Sequence, residues 1–308
     1  MNRILIIRGG AIGDFILTLP ALKALRDAFP SARVEILGYK HIAAIAENRF
    51  YADAVQSIEY GALSAFFAKG GELDPKLREY LGSFDLVISY LFDPDGVFVE
   101  NLRRAGARTI VYGPARVHAG SHATQQLAAA VERVGIKVED YVARVFPSAD
   151  DISFAGDLLQ KLSAPVIALH IGSGSAQKNW PVENWLRLGD SLLERGNSLI
   201  VVSGEADEPQ LATARHHWAN APVLFITNLP LPKLAAVLGQ CVFIGHDSGI
   251  SHLAAAAGAK CVLLFGPTDP EVWAPQGVNV RILRGPDSDL RKLEYRTVLD
   301  ALESLARP

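Results

Sequence analysis

Two cysteines, Cys241 and Cys261, are all the thiols in 308 residues. Each sits in an apolar, strand-like run, Cys241-Val-Phe-Ile and Cys261-Val-Leu-Leu-Phe. That excludes a disulfide-stapled scaffold and fits buried thiols in a reducing compartment. An excess of charge is missing as well: 30 Lys and Arg stand against 33 Asp and Glu, a net charge of −3. The strongly basic face of a nucleic-acid binder is therefore excluded, and no block of like charges forms a tail. No run approaches the ~18 apolar residues of a membrane span. The opening Ile4-Leu5-Ile6-Ile7 is broken by Arg8, too early for the core of a signal peptide. The expected location is the cytoplasm, with at most peripheral contact at the inner face of the plasma membrane. His, Cys, Asp and Glu nowhere take the spacing of metal ligands. Asp93-Pro94-Asp95 matches a D-x-D pattern, but with Pro inside it and Gly after it the segment reads as a turn.

What the chain does have is apolar material in a regular rhythm. Hydrophobic residues make up 49% of it, ample for a buried core. Strand-like runs at 4–7, 33–37, 54–58, 86–89 and 109–112 alternate with helical stretches such as 19–29 and 121–134. After an irregular polar stretch at 137–151 the rhythm restarts, with strands at 166–170, 199–203, 223–226, 242–245 and 261–265. Helices are expected between them, and a last one over 295–305. Such alternation predicts parallel sheets covered on both faces, not a bundle or a sandwich. The expected class is α/β: two doubly wound, Rossmann-like domains, residues 1–150 and 151–308, facing a central cleft. Ligands of such sheets bind beyond the carboxyl ends of the strands.

Three strand exits carry the residues that can do chemistry. The first is Arg8-Gly9-Gly10-Ala11-Ile12-Gly13-Asp14. Its glycines permit a tight turn and close approach of another molecule, but the spacing is not the dinucleotide fingerprint. Because Pro20 is unwelcome deep in a helix, the regular helix is expected from about Leu19 with Thr18 as its cap. Asp14 would then sit on the loop, either capping a turn or accepting a proton from an attacking hydroxyl.

The second exit runs from His170 through Gly172-Ser173-Gly174-Ser175 to Lys178-Asn179-Trp180-Pro181. Ser173, Gly174 and the loop amides suit phosphate oxygens, and Lys178 adds a positive charge; the alternative is a flexible linker with a solvated lysine. Trp180 and Trp185 read as packing residues. The third is Gly245-His246-Asp247-Ser248-Gly249-Ile250-Ser251-His252, a turn into a helix that Gly258 ends. Its N–H groups at Ser248, Gly249 and Ile250 would face a ligand, and His252 shares a helix face with Ser248. Asp247 reads equally as a plain helix cap. Glu205, after another strand, can take two ribose hydroxyls or simply begin a helix.

Together these segments resemble glycosyltransferase family 9, the heptosyltransferases of lipopolysaccharide core synthesis. The resemblance runs over nearly the whole chain. It is carried by the opening segment to Asp14 with Thr18-Leu19-Pro20, by Lys178-Asn179-Trp180-Pro181 with Trp185, and by Asp247-Ser248-Gly249-Ile250-Ser251-His252 with Phe265-Gly266-Pro267-Thr268. Ser173-Gly174-Ser175 departs from the adjacent threonines expected of lipopolysaccharide members. The resemblance implies a GT-B fold and an inverting reaction without metal or other cofactor. ADP-heptose would be held by the second domain and a lipid-linked saccharide acceptor by the first, near Arg8 and Gly13. By motif, Asp14 is the base, Lys178 contacts the diphosphate, and Ser248 and Gly249 bind phosphate. Asp247 would contact sugar hydroxyls, Glu205 the ribose, and His252 would support the loop. A nucleotide-sugar epimerase of the same fold and a non-catalytic nucleotide-sugar-binding subunit are the alternatives.

Overall fold

Each apolar run named above becomes a parallel strand in the computed structural model, which describes residues 1–163, 165–204 and 208–306. The chain divides into two units, Met1–Tyr141 and Val142–Pro308.

In the first unit the elements are β1 (Arg3–Arg8), α1 (Ile12–Ala28), β2 (Arg33–Gly38), α2 (Lys40–Ala43), β3 (Ala54–Ser57), α3 (Pro75–Gly82), β4 (Leu86–Ser89), α4 (Val97–Ala105), β5 (Thr109–Tyr112) and α5 (Ala123–Glu132). The sheet order is β3-β2-β1-β4-β5, parallel throughout. Ile4, Leu5, Ile6 and Ile7 are each 0% exposed. The central strand is apolar on both faces because elements cover both, so its sequence shows no alternation. The strand order reverses between β1 and β4, which opens a crevice at their carboxyl ends.

In the second unit come α6 (Ala149–Leu159), β6 (Val166–His170), α7 (Val182–Glu194), β7 (Ser198–Ser203), α8 (Glu208–His217), β8 (Val223–Thr227), α9 (Leu231–Leu238), β9 (Val242–His246), α10 (Gly249–Ala256), β10 (Lys260–Phe265), α11 (Pro270–Trp273), β11 (Val280–Arg284) and α12 (Tyr295–Ala306). The order is β11-β10-β9-β6-β7-β8, again all parallel, with the reversal between β6 and β9. Cys241 and Cys261 are buried and unbridged, and burial pushes both thiols up to about 12. No helix among the described residues is long and apolar enough to cross a membrane.

Two expectations need correction. Helix α1 begins at Ile12, not near Leu19, and runs through Pro20. A proline there costs about 3 kcal/mol or more. Phe15 to Leu22 are all buried, and each large apolar side chain contributes roughly 1.5–3 kcal/mol, so packing outweighs the lost bond. Thr18 is not the cap; its hydroxyl donates to the Asp14 carbonyl at 2.8 Å, one turn back. The expected division after residue 150 falls inside α6. The compact units part nine residues earlier, between Tyr141 and Val142. That point lies within the irregular polar stretch 137–151, of which Asp150 and Asp151 form the end. They lie in the first turn of α6, where the helix dipole favours acids, and Ser148 and Asp151 form a reciprocal cap.

Candidate active site

The β1–α1 turn is built around Asp14. Ala11, the residue before the helix, has no side chain to cap with, so the Asp14 carboxylate reaches back and accepts the Ala11 N–H at 2.9 Å. Gly10 makes room: its φ is +94°, and a Cβ there would lie 2.8 Å from Asp14 Oδ2. Arg8, 5% exposed, donates to the Asp14 carbonyl at 3.0 Å, and its guanidinium stands 3.7 Å from Asp14 Oδ1. Burial lowers the Arg8 pKa, while Asp14 and the Tyr90 ring beneath it pull the other way. Gly13, half-buried, occupies the first turn of α1. The result is a carboxylate 37% exposed, held by its own turn at the switch point of the first sheet.

At the switch point of the second sheet, the exits of β6 and β9 meet. Lys178, in a 3-10 turn spanning Ala176–Lys178, places its ammonium 2.5 Å from Asp247 Oδ2. The lysine is one-third exposed and the aspartate 8%. Neither charge is therefore free: the residues expected to contact diphosphate and sugar hydroxyls hold each other. Asp247 is not the cap of α10. That place belongs to Ser248, whose Oγ accepts the Ser251 N–H at 3.3 Å and lies 3.2 Å from His170 Nδ1. The backbone N–H groups of Gly249 and Ile250 have no partner among the described residues. They give α10 an open, partially positive end. His252 sits one turn further in, 5% exposed, with its N–H on the Ser248 carbonyl.

The loop carrying Lys178 is pinned by a residue that sequence reasoning did not assign. His246, 0% exposed, accepts the Trp180 N–H on Nε2 at 2.7 Å and donates from Nδ1 to the Gly172 carbonyl at 3.1 Å. One imidazole ties down both ends of the loop, and these partners fix its tautomer. The only signal was positional: His170 and His246 both close an apolar strand. Trp180 and Trp185 pack edge to face, and Trp185 meets His246 the same way, all within the core. Inside the loop the Ser173 hydroxyl lies 2.6 Å from Asn179 Oδ1 and 2.9 Å from the Ser175 carbonyl. It serves the loop's own shape, leaving exposed Gly174, at φ +72°, at the loop's tip.

Glu205 lies outside the described residues. Asp93 accepts the N–H groups of Phe98 and Val99, both at 3.1 Å, and so belongs to the start of α4. Among the described residues no group of three or more His, Cys, Asp or Glu is placed to hold a metal ion.

The family model for glycosyltransferase family 9 (heptosyltransferase) matches residues 114–302. The chain is 27% identical to lipopolysaccharide heptosyltransferase 1 of Escherichia coli (strain K12), over 98% of this chain and 100% of that protein. It is 25% identical to lipopolysaccharide heptosyltransferase 3 of the same strain, over 87% and 83%. In structure it resembles a glycosyl transferase family 9 protein from Veillonella parvula DSM 2008, with a TM-score of 0.79 and 19% identity over 99% and 97% of the two chains. It also resembles the E. coli heptosyltransferase WaaC with ADP, with a TM-score of 0.75 and 21% identity over 98% and 99%. Two doubly wound parallel units with switch-point loops, and a family match over most of the chain, lead to one conclusion: the chain belongs to glycosyltransferase family 9, the heptosyltransferase family, has its GT-B fold, and is a glycosyltransferase.

Proposed function

We propose that the protein transfers a heptose from ADP-heptose to a saccharide of the lipopolysaccharide core, with inversion and without a metal ion. The observation that carries this is the Lys178–Asp247 pair, 2.5 Å apart, beside the open amides of Gly249 and Ile250. The relatives named lipopolysaccharide heptosyltransferases, and one bound to ADP, support the choice of substrates.

The chemistry follows from charge. The bond from the anomeric carbon to the diphosphate breaks, and its electron pair leaves with the nucleotide. A bond from the acceptor oxygen to that carbon forms on the other face of the sugar ring, and the hydroxyl proton passes to the Asp14 carboxylate. The growing negative charge on the diphosphate is met by the Gly249 and Ile250 N–H groups, fixed dipoles that need no reorganisation, and by the Lys178 ammonium. A charged hydrogen bond of this kind contributes roughly 1.5–3 kcal/mol. As Lys178 turns to the diphosphate, Asp247 is released to accept sugar hydroxyls. In this reading the first unit, residues 1–141, supplies the base and contacts the acceptor near Arg8 and Gly13. The second supplies the donor site, with Glu205 on the ribose and His252 supporting the α10 loop.

The test is a transfer assay with ADP-heptose and a Kdo-bearing lipid A acceptor, in EDTA, with the product anomer read by NMR. Transfer with inversion supports the proposal. Epimerised donor without transfer, or ADP-heptose bound tightly with no turnover on a panel of acceptors, would overturn it.

A further inference from the structure

His170 closes β6, and the strand register sets it beside Gly245 of β9. Gly245 leads into the turn before α10, so the buried His170 ring reaches the Ser248 hydroxyl. A row of four groups results. His170 Nδ1 lies 3.2 Å from Ser248 Oγ, Ser248 Oγ lies 3.2 Å from Ser251 Oγ, and the Ser251 hydroxyl donates to the His246 carbonyl. Ser248 Oγ also accepts the Ser251 N–H at 3.3 Å. Gly245 leaves the space that this needs, since a Cβ there would lie 3.0 Å from Ser251 Oγ.

The direction of the protons in this row follows from its far end. A carbonyl only accepts, so the Ser251 hydroxyl proton is committed to His246. Ser251 Oγ is then an acceptor toward Ser248, and the proton between the two hydroxyls belongs to Ser248. A serine hydroxyl has a single hydrogen. The contact between Ser248 and the imidazole is therefore made with a proton on His170 Nδ1. The opposite assignment sends the Ser248 proton to a bare Nδ1 and leaves two serine oxygens 3.2 Å apart with no hydrogen between them. In the favoured arrangement Ser248 Oγ accepts from both His170 and the Ser251 N–H, so both its lone pairs are occupied. It can then show a ligand its hydrogen and nothing else. An anion arriving at the open Gly249 and Ile250 amides meets this hydroxyl as a third donor, and each bond in the row polarises the next.

We propose that His170 is a positioning residue: by donating from Nδ1 it makes the Ser248 hydroxyl an obligate donor to the diphosphate. On binding, the Ser248 proton swings from Ser251 Oγ to a phosphate oxygen, while His170 and the Ser251 N–H hold the hydroxyl oxygen in place. This rests on the assignment of the donor diphosphate to α10. Two measurements test it. The first is long-range proton–nitrogen NMR of the histidine rings in the full chain without ligand, with the His170 signals identified by their loss in His170→Asn. Nδ1 should carry a proton; a bare Nδ1 would overturn the proposal. The second is calorimetric titration with ADP of the wild type, His170→Leu, His170→Asn, Ser248→Ala and His170→Leu/Ser248→Ala. His170→Leu should weaken ADP binding by about tenfold, the equivalent of one charge-assisted hydrogen bond. His170→Asn, which keeps an N–H near the place of Nδ1, should restore most of that affinity. In the Ser248→Ala background, His170→Leu should cost nothing more, because the hydroxyl through which His170 acts is gone. An equal loss in both backgrounds is what a merely packing role would give, and it would overturn the proposal. So would unchanged affinity in folded His170→Leu. Should that variant fail to fold, the wild-type spectrum still decides. A wild type that binds no ADP would overturn the donor assignment and the role of Ser248 with it; the spectrum, read without ligand, keeps the two failures apart.

Discussion

Asp14 has an exposed carboxylate edge and no structural duty beyond its own turn. Asp14→Asn keeps the shape and the contact to Ala11 but cannot take a proton. It should lower kcat by about 10²–10⁴-fold, the usual worth of general-base help, while ADP affinity stays at the wild-type value; near-normal turnover would remove Asp14 from the chemistry. Lys178 and Asp247 should behave as a coupled pair. Lys178→Ala leaves a carboxylate 8% exposed without its partner and facing the incoming diphosphate. ADP binding should fall by roughly 10–100-fold, the equivalent of one charged hydrogen bond. Part of that loss should return in Lys178→Ala/Asp247→Asn, and a strictly additive double-mutant cycle would show that the pair does not act as a unit. Asp14, Lys178 and Asp247 stand out in the sequence as charged groups at strand exits within the family's motifs, and the structure brings Lys178 to Asp247. His246 does not. A histidine ending an apolar run looks like any core-edge residue until its two nitrogens are seen to bind Trp180 and Gly172.

Among the elements, α1 shows where local rules gave way. Pro20 and Thr18 together suggested a late helix start, and by propensity alone that was correct reasoning. What it missed is that the helix is buried along Phe15–Leu22, and such a stretch is stabilised mainly by packing. Strand β11 escaped for the opposite reason: Val280-Arg-Ile-Leu-Arg284 alternates and is half-exposed, an edge strand among buried runs. The turn before α1 yields a prediction of its own. Gly10→Ala would force a Cβ against the Asp14 carboxylate in a backbone region that disfavours it. The expected outcome is a shift of the carboxylate, with a loss of stability of about 1–2 kcal/mol and a loss of kcat disproportionate to it. Chemical denaturation and turnover, measured together, decide this; loss of stability alone would show that the turn is only structural.

For the whole molecule, two observables follow. The first is alkaline stability. Both thiols titrate near 12 in the folded chain, against about 8.5 in an unfolded one. A raised folded value means their contribution is fully present below about pH 8.5 and is lost progressively as pH rises toward 12. Stability should therefore fall across that window, and Cys241→Ala/Cys261→Ala should flatten the fall. Native thiols should also resist alkylation at pH 8, and rapid labelling of the folded protein would contradict their burial. The second is the division of labour. At 100 times its Kd, ADP should stabilise the protein by about 2.7 kcal/mol. Hydrogen exchange should slow at residues 171–180 and 247–252 but not at 9–14. Protection confined to 9–14 would reverse the roles assigned to the two units. The α/β class and both sheets could be read from the chain because parallel strands covered on both faces leave unbroken apolar runs. The division between units, at Tyr141–Val142, lies within the irregular stretch 137–151, but its exact place was not legible because the acids that open α6 continue that polar stretch.

The resting pair of Lys178 and Asp247 has a consequence for selectivity. A bare lysine at a helix end would attract any passing anion, and inorganic phosphate would compete with the substrate. Here the ammonium already has a companion. A ligand bringing only negative charge must strand the aspartate, and one bringing only hydroxyls must displace it from the lysine. A molecule carrying both, in the right order along its length, compensates each side at once. If this pair meets the donor as proposed, it acts as a filter that rewards the joined nucleotide sugar over either of its halves.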